Sequence, residues 1–414
     1  MMASWIKVKS FGGANTVPGS THMITATIDG YDYNYLVDCG LFQGAIGRKH
    51  PEMNFNLRDF AYELNGVFIT HAHIDHVGRV PALYRWGYSG PIYATYPVCE
   101  LSRIMLEDSA NIQLEDYLYN TEREMGKKLR GEAFKEVELL YDPQDAKEVM
   151  EQFVPVLRDE EIVINEHLTV VYYDAGHGLG SSSIKLIFNN GEETFTMFFS
   201  GDLGNPNTPI LKEVELPYIT GVDAVFCEST YAGRFHGSYT ENWNDIRQKI
   251  AHTLLNGGKV LLAAFAVGRT QEMLYLLLKD MLENDDWVAD VLKKHMIYVD
   301  SVLAVSATKI FSRFSEEFKP EVQQMMSEKG KNPFDFPNLH LIYEKEESII
   351  LCESQEPSII LSAAGMCDAG RIVYHLREIL EREDSLLVLT GYQAEGSMGR
   401  RILDGEKFVT VAKK

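Results

Sequence analysis

The stretch Val67-Phe68-Ile69-Thr70-His71-Ala72-His73-Ile74-Asp75-His76-Val77-Gly78 decides the fold and the chemistry of this chain. An apolar strand runs straight into three histidines and an aspartate. In extended backbone, residues two apart point to the same side, so His71 and His73 can grip one metal together. Asp75 and His76 follow at the strand end, where a turn presents both to a second metal nearby. Imidazole and carboxylate ligands suit zinc or a similar first-row ion. Only 12 histidines occur in 414 residues. Three of them within six positions weigh against an incidental polar turn.

Two more segments offer partners. Tyr173-Asp174-Ala175-Gly176-His177-Gly178-Leu179-Gly180-Ser181 puts a histidine in a glycine-rich loop after a strand. Phe199-Ser200-Gly201-Asp202-Leu203-Gly204 puts an aspartate at the end of an apolar strand. Alone, each reads as a loop histidine or an Asp-Gly turn. Together, three strand ends each offer a ligand, which is how a metal site at the mouth of a sheet is built. Asp202 could bridge two ions, and such a pair can hold a hydroxide. Two ions a few ångströms apart lower the pKa of bound water and clamp the attacking and leaving oxygens of an ester. Asp75 is placed to orient that water as well as to ligate. The reaction class is hydrolysis of a phosphodiester or an acyl bond.

Around these segments the first ninety-odd residues are β-rich. Trp5 to Phe11, His22 to Ile28, Tyr35 to Asp38, Val67 to Thr70 and Ile92 to Thr95 read as strands between Gly, Asn and Asp turns. Pro97 to about Tyr119 reads as helix, and Glu122 to Glu136 as a solvated helical face. Strands return at Leu168 to Tyr173, Ser183 to Phe188, Phe195 to Ser200 and Ala224 to Cys227. From about Thr240, helical stretches alternate with the apolar runs Lys259 to Ala264, Met296 to Val299, Ser358 to Ser362 and Leu386 to Leu389. That alternation predicts a parallel α/β layer. A β-sandwich-like α/β unit therefore comes first and a parallel α/β unit second.

Composition bounds the function. Hydrophobic residues make up 45% and charged residues 24%, which excludes a collagen, a mucin stalk or a mostly disordered chain. No stretch approaches the ~18 apolar residues of a membrane span. The start carries no apolar signal region, and five irregularly spaced cysteines include no CxxC pair, so a reducing cytoplasm is expected. The net charge of -21 argues against non-specific coating of DNA or RNA. It leaves room for a nuclease whose bound metal supplies the attraction.

The residues match a known family pattern. HAHIDH, with Asp38 in LVDCGLFQG upstream and His177 and Asp202 downstream, resembles the metallo-β-lactamase fold. In the second half, CESTYAGRFH at 227–236, AFAVGRTQE at 264–272, DSVLA at 300–304, AAGMCDAGR at 363–371 and GYQAEGSMGRR at 391–401 resemble the β-CASP subfamily. That subfamily cleaves nucleic acid and includes the RNA 3′-end-processing endonuclease, its prokaryotic relatives and RNase J. The resemblance implies a metallo-β-lactamase αββα sandwich over 1–230 with a β-CASP parallel α/β domain over 231–414. It implies a first zinc on His71, His73 and His177, and a second on Asp75 and His76 with Asp202 bridging. Asp38 is similar to the family's aspartate behind the ligands. Glu228 matches the acidic residue that opens the β-CASP part and supports a catalytic histidine. Arg269 and Arg371 match family positions that meet phosphates, with a salt bridge to a nearby carboxylate an equally weighted reading.

The implied activity is zinc-dependent cleavage of single-stranded RNA, and a homodimer is compatible with it. A non-catalytic RNA-binding paralogue and a small-molecule hydrolase of the same fold are the alternatives. The pattern has departures. Val302 and Ala263 stand where the family usually has proline. The family continues to a Ser-x-His motif and then a His-Gly motif, supplying a proton donor and a further ligand to the second zinc. The sequence ends at Val411-Ala412-Lys413-Lys414, before either. The expectation is a full ligand set for one zinc and a short set for the other, without the return strands that close the first domain. Intact upstream ligands favour a trimmed longer protein over a natural truncation or ligands from another chain.

Overall fold

Alternation of apolar and polar residues builds two sheets in the first half of the chain. The computed structural model describes all residues except 1–4, 131–135, 206–207, 215–219, 234–238, 329 and 412–414. The tails of CESTYAGRFH and of the charged run to Glu136 therefore lie in part outside the described residues, as do the last three residues. The chain forms two units, Met1–Asn205 with Val214–Thr230, and Pro206–Glu213 with Tyr231–Lys414.

In the first unit, one sheet holds β1 (Trp5–Gly12), β2 (Thr21–Ile28), β3 (Tyr31–Val37), β4 (Leu64–Phe68), β5 (Ile92–Thr95) and β6 (Phe153–Val156), in that order. The other holds β7 (Ile162–Asn165), β8 (Leu168–Asp174), β9 (Ser182–Asn189), β10 (Thr194–Phe199) and β11 (Ala224–Phe226), ordered β11-β10-β9-β8-β7. Alternate residues of both sheets meet in one core: Ile24, Ala26 and Ile28 from β2, Val170 and Tyr172 from β8, Ile184 and Leu186 from β9, Phe199 from β10. Burying each of the larger aliphatic side chains contributes about 1.5–3 kcal/mol.

Strand direction positions the site. β3 and β4 run parallel, so Asp38 and Thr70-His71 leave the first sheet at the same edge. β8 and β10 each pair antiparallel with β9, and β11 runs parallel to β10. The ends of β8, β10 and β11 therefore share one edge of the second sheet. His177, Asp202 and Glu228 follow those three ends.

The second unit is a five-stranded sheet of β12 (Val260–Ala263), β13 (Met296–Val299), β14 (Leu339–Leu341), β15 (Ser358–Ser362) and β16 (Leu386–Leu389). Its order is β14-β13-β15-β12-β16 and every pair is parallel. AFAVGRTQE, DSVLA, AAGMCDAGR and GYQAEGSMGRR follow the carboxyl ends of β12, β13, β15 and β16. Loops at that edge carry function in open parallel sheets. The segment Pro206–Glu213 belongs with this unit because Leu211 bridges Phe318, and Ile210 accepts from Lys319 N–H at 2.8 Å.

The architecture is the one the patterning implies, with local differences. β6, β7 and β14 do not stand out in the sequence: two flank the charged turn 157–161, and β14 is three residues long. The helix expected to end near Tyr119 runs from Tyr96 to Leu129. Its charged end is solvated except at Glu124, which is buried and paired with Lys127 at 2.6 Å. Val302 opens the helix Val302–Arg313, capped by Ser301 accepting from Ala304 N–H, a position that suits proline but does not require it. Ala263 ends β12 rather than setting a turn. Among the described residues no helix is long and apolar enough to cross a membrane.

Candidate metal centre

At the end of β4 the chain leaves the sheet extended, and a single helical turn, Ile74–Val77, follows. This bend brings His71, His73 and His76 toward one point. The loop after β3 locks it from behind. Cys39 N–H donates to His76 O at 2.7 Å, Leu41 N–H to Ile74 O at 2.9 Å and Arg79 N–H to Cys39 O at 2.8 Å. Gly40 is required here, since a Cβ would lie 1.6 Å from the Asp75 carbonyl oxygen. Asp38 takes the left-handed conformation at φ 60°, which aspartate tolerates better than most residues.

Asp38 organises the histidines. Its buried carboxylate accepts from Thr70 N–H at 2.8 Å and Thr70 Oγ1 at 3.0 Å. It pairs with His76 Nδ1 at 2.7 Å. Thr70 Oγ1 lies 3.0 Å from His71 Nδ1. With Thr70 donating to Asp38, the hydroxyl oxygen accepts a hydrogen bond from His71 Nδ1–H. Asp38 likewise accepts a hydrogen bond from His76 Nδ1–H. Both rings then turn Nε2 toward the opening, as outer partners of metal-bound histidines arrange; burial would lower His76, but Asp202 and Asp38 raise it well above its ordinary value.

The second sheet supplies the opposite wall. His177 Nε2 faces His73 Nδ1 at 3.2 Å. Asp202 Oδ1 lies 3.3 Å from His76 Nε2, and Oδ2 lies 3.7 Å from His177 Nε2 and 3.9 Å from His71 Nε2. Donor atoms of His71, His73 and His177 lie within 4.8 Å of one another, as do those of His71, His76 and Asp202. His71 belongs to both groups, and Asp202 reaches toward both. Asp75 belongs to neither group, although its carboxyl feels His76 and Asp202. The Asp202 loop is tied to β11 by Glu228, whose carboxylate accepts from Leu203 N–H and Thr230 N–H, each at 3.1 Å.

These donors fit a divalent metal. His71 Nε2 is buried and has no hydrogen-bond partner among the described residues, a costly state for a polar atom unless something binds it. Two imidazole nitrogens meet at 3.2 Å, where lone pairs repel unless a proton or a cation lies between. Burial and the neighbouring His177 lower His73 to about 3, and burial and His76 hold His71 well below its ordinary value. Both rings are therefore neutral at physiological pH, the form that can ligate a metal. Burial would raise the Asp202 carboxyl, but His76, His71 and His177 hold it well below the usual carboxylate range. Burial raises Asp75 against the opposing pull of His76.

The two arginines matched to phosphate positions are in the second unit, and each meets a carboxylate. Arg269 opens the helix Arg269–Glu283 and pairs with Glu272 at 2.6 Å. Arg371 pairs with the buried Asp300 at 2.8 Å and donates to Tyr343 O at 2.8 Å.

Sequence reading overlooked Thr70 and Arg79. Thr70 sits next to the histidines, and a hydroxyl at a strand end beside a histidine is a usable signal. Arg79 is fully buried. Its guanidinium donates to Gly40 O, Met53 O, Asn56 Oδ1 and Thr21 Oγ1, beneath the loop that backs the site. A cation in the apolar context HVGRVP was its signal.

Two sheets with histidine and aspartate donors at one edge define the metallo-hydrolase class. A model of the metallo-beta-lactamase superfamily matches residues 16–249, and a Beta-Casp domain model matches residues 270–402. The chain belongs to the metallo-β-lactamase superfamily, in its β-CASP branch. It is similar to a ribonuclease of Thermus thermophilus, 33% identical over 399 residues, which covers 96% of this chain and 82% of that protein. It is also similar to the transcription termination factor FttA of Methanocaldococcus jannaschii, 28% identical over 415 residues, and of Methanosarcina mazei, 25% identical over 412 residues. Those matches cover 98% and 99% of this chain but 59% and 60% of the relatives. The chain thus spans about three fifths of the length of the termination factors.

Proposed function

We propose that this chain is a zinc-dependent hydrolase that cleaves phosphodiester bonds of single-stranded RNA. The observation that carries the proposal is the buried, unpartnered Nε2 of His71 at the junction of two donor groups. The ribonuclease relative supports RNA as the substrate, and the recurrence of the β-CASP motifs supports nucleic acid over a small molecule.

In this reading His71, His73 and His177 hold one ion, and His76 with Asp202 and His71 border the second. Divalent ions bound there would lower the pKa of water and neutralise charge on the phosphodiester. Asp38 and Thr70 keep the Nδ1 protons of His76 and His71 turned away from the opening, so the Nε2 atoms stay available. Asp202 supplies negative charge on the side facing both groups. Asp75, beside them and raised by burial, orients a water and accepts its proton. Glu228 fixes the backbone of Leu203 and so the reach of Asp202. Arg269 and Arg371 contact phosphates through the N–H groups that their carboxylate pairs leave over.

An end-labelled, unstructured RNA incubated with the 414-residue chain and zinc tests this. Cleavage by the parent and none by a folded Asp75→Ala variant is the expected outcome. Cleavage that persists in that variant contradicts the role given to Asp75. A parent that turns over a chromogenic lactam faster than any RNA contradicts the substrate class.

A further inference from the structure

We propose that Arg158 is a positioning residue for the metal centre, acting through the loop that carries His177. The inference rests on the reading of His177 as a metal donor. Arg158 lies in the turn between β6 and β7, two strands before the loop that carries His177. Its side chain is only 14% exposed, unlike a surface arginine held in water. One guanidinium spans both ends of the loop. Nη1 donates to Asp174 Oδ2 at 3.1 Å, Nη2 to Ser181 O at 2.9 Å and Nε to Ser182 Oγ at 3.2 Å.

Each acceptor passes the constraint inward. The other oxygen of Asp174 accepts from Gly176 N–H at 2.8 Å. Ser181 Oγ accepts from His177 N–H and Gly178 N–H, each at 3.0 Å. Ser182 N–H donates to Thr70 O at 2.8 Å, which ties the loop to the strand end bearing His71. Residues 175–181 contain neither helix nor strand; main-chain bonds such as Ala175 N–H to Ser181 O at 3.1 Å and Gly204 N–H to Ala175 O at 2.8 Å act with these side chains to set the place of His177. A planar fork with several fixed donors suits this task, and a lysine's point charge does not. Sequence alone offered no hint, because Leu157-Arg158-Asp159-Glu160-Glu161 reads as a charged surface turn.

Cobalt(II) binding measures the effect without turnover. The chain is titrated with cobalt while visible absorption is recorded, for the parent, Arg158→Gln, Arg158→Lys and His177→Ala. Outer partners of metal-bound histidines are worth about 10–100-fold in affinity. Arg158→Gln is expected to weaken one cobalt site by that factor and to shift its absorption bands, with far-UV circular dichroism unchanged. Arg158→Lys, which keeps the charge and most of the volume, is expected to fall between. The proposal is overturned if folded Arg158→Gln, or folded Arg158→Lys should the glutamine variant not fold, matches the parent in affinity and bands while His177→Ala does not. If His177→Ala itself matches the parent, the reading of His177 as a donor fails, and the proposal fails with it.

Discussion

Two loops carry the histidines of this centre, and they are built on different principles. Residues 70–79 follow β4 and are fixed mainly by backbone: a helical turn, and main-chain hydrogen bonds from Cys39, Leu41 and Arg79. Residues 174–182 are fixed mainly by side chains, those of Asp174, Ser181, Arg158 and Thr95, the last donating to Gly180 O at 2.7 Å. The first loop inherits rigidity from the sheet, whereas the second depends on single side chains. Asp38 and Arg79 break the pattern of the first: one carboxylate serves Thr70 and His76 together, and one guanidinium holds Gly40 O.

Asp38→Ala should therefore give the largest change. It strips the acceptor from Thr70 and His76 in the interior. Breaking a buried pair in this way costs about 3–5 kcal/mol, and zinc affinity should fall by about 10–100-fold. Chemical denaturation and zinc competition with a chelator read both. Unchanged affinity would mean that the ring of His76 is oriented by its backbone alone.

A smaller effect is expected from Ser181→Ala, which removes the acceptor of the His177 and Gly178 N–H groups. Leaving these part-buried donors unmet costs toward the lower end of about 1–3 kcal/mol. The loss of zinc affinity should sit near the tenfold end of the outer-partner range, in one site only. Equal weakening of both sites would erase the distinction between the loops.

The smallest effect on metal should come from Asp300→Asn in the second unit. Burial would raise Asp300, but hydrogen bonds from His375, Ser348 and Arg371 outweigh it and lower its pKa. A depressed aspartate stabilises the folded state above its unfolded value of about 3.9 and loses that contribution as pH falls through the lowered one. Melting scans should show the parent losing stability in acid below about pH 4 and the variant, less stable at neutrality, losing less. Zinc affinity should not move. A shift in affinity would couple this network to the centre.

The difference between the loops also explains what could be read from sequence. His71, His73, Asp75 and His76 are contiguous because one strand end delivers them, so spacing alone suggests a shared metal. His177 and Asp202 lie more than a hundred residues downstream, each at a strand end that looks like a turn. Their union follows from parallel and antiparallel pairing that no local pattern encodes; the sequence offered three strand ends each bearing a donor, and family resemblance assigned them to particular ions. The layers were legible where apolar runs were long, as in β2, β9 and β15. Strands of three or four residues beside charged turns, β7 and β14 among them, were not. Arg158 was illegible because its partners, the Asp174 carboxylate, Ser181 O and Ser182 Oγ, are brought near by the second sheet. Glu228 was legible as an acid, but its hydrogen bonds to Leu203 and Thr230 were not.

The central claim is that His71, through its one available Nε2, holds an ion with His73 and His177, beside a second donor group of His76 and Asp202. Zinc stoichiometry of the parent, His177→Ala and His71→Ala, measured by elemental analysis after equilibration against a fixed free-zinc buffer, tests it most directly. The account predicts two ions per chain in the parent and one in each of His177→Ala and His71→Ala. Two ions retained by folded His71→Ala would contradict it.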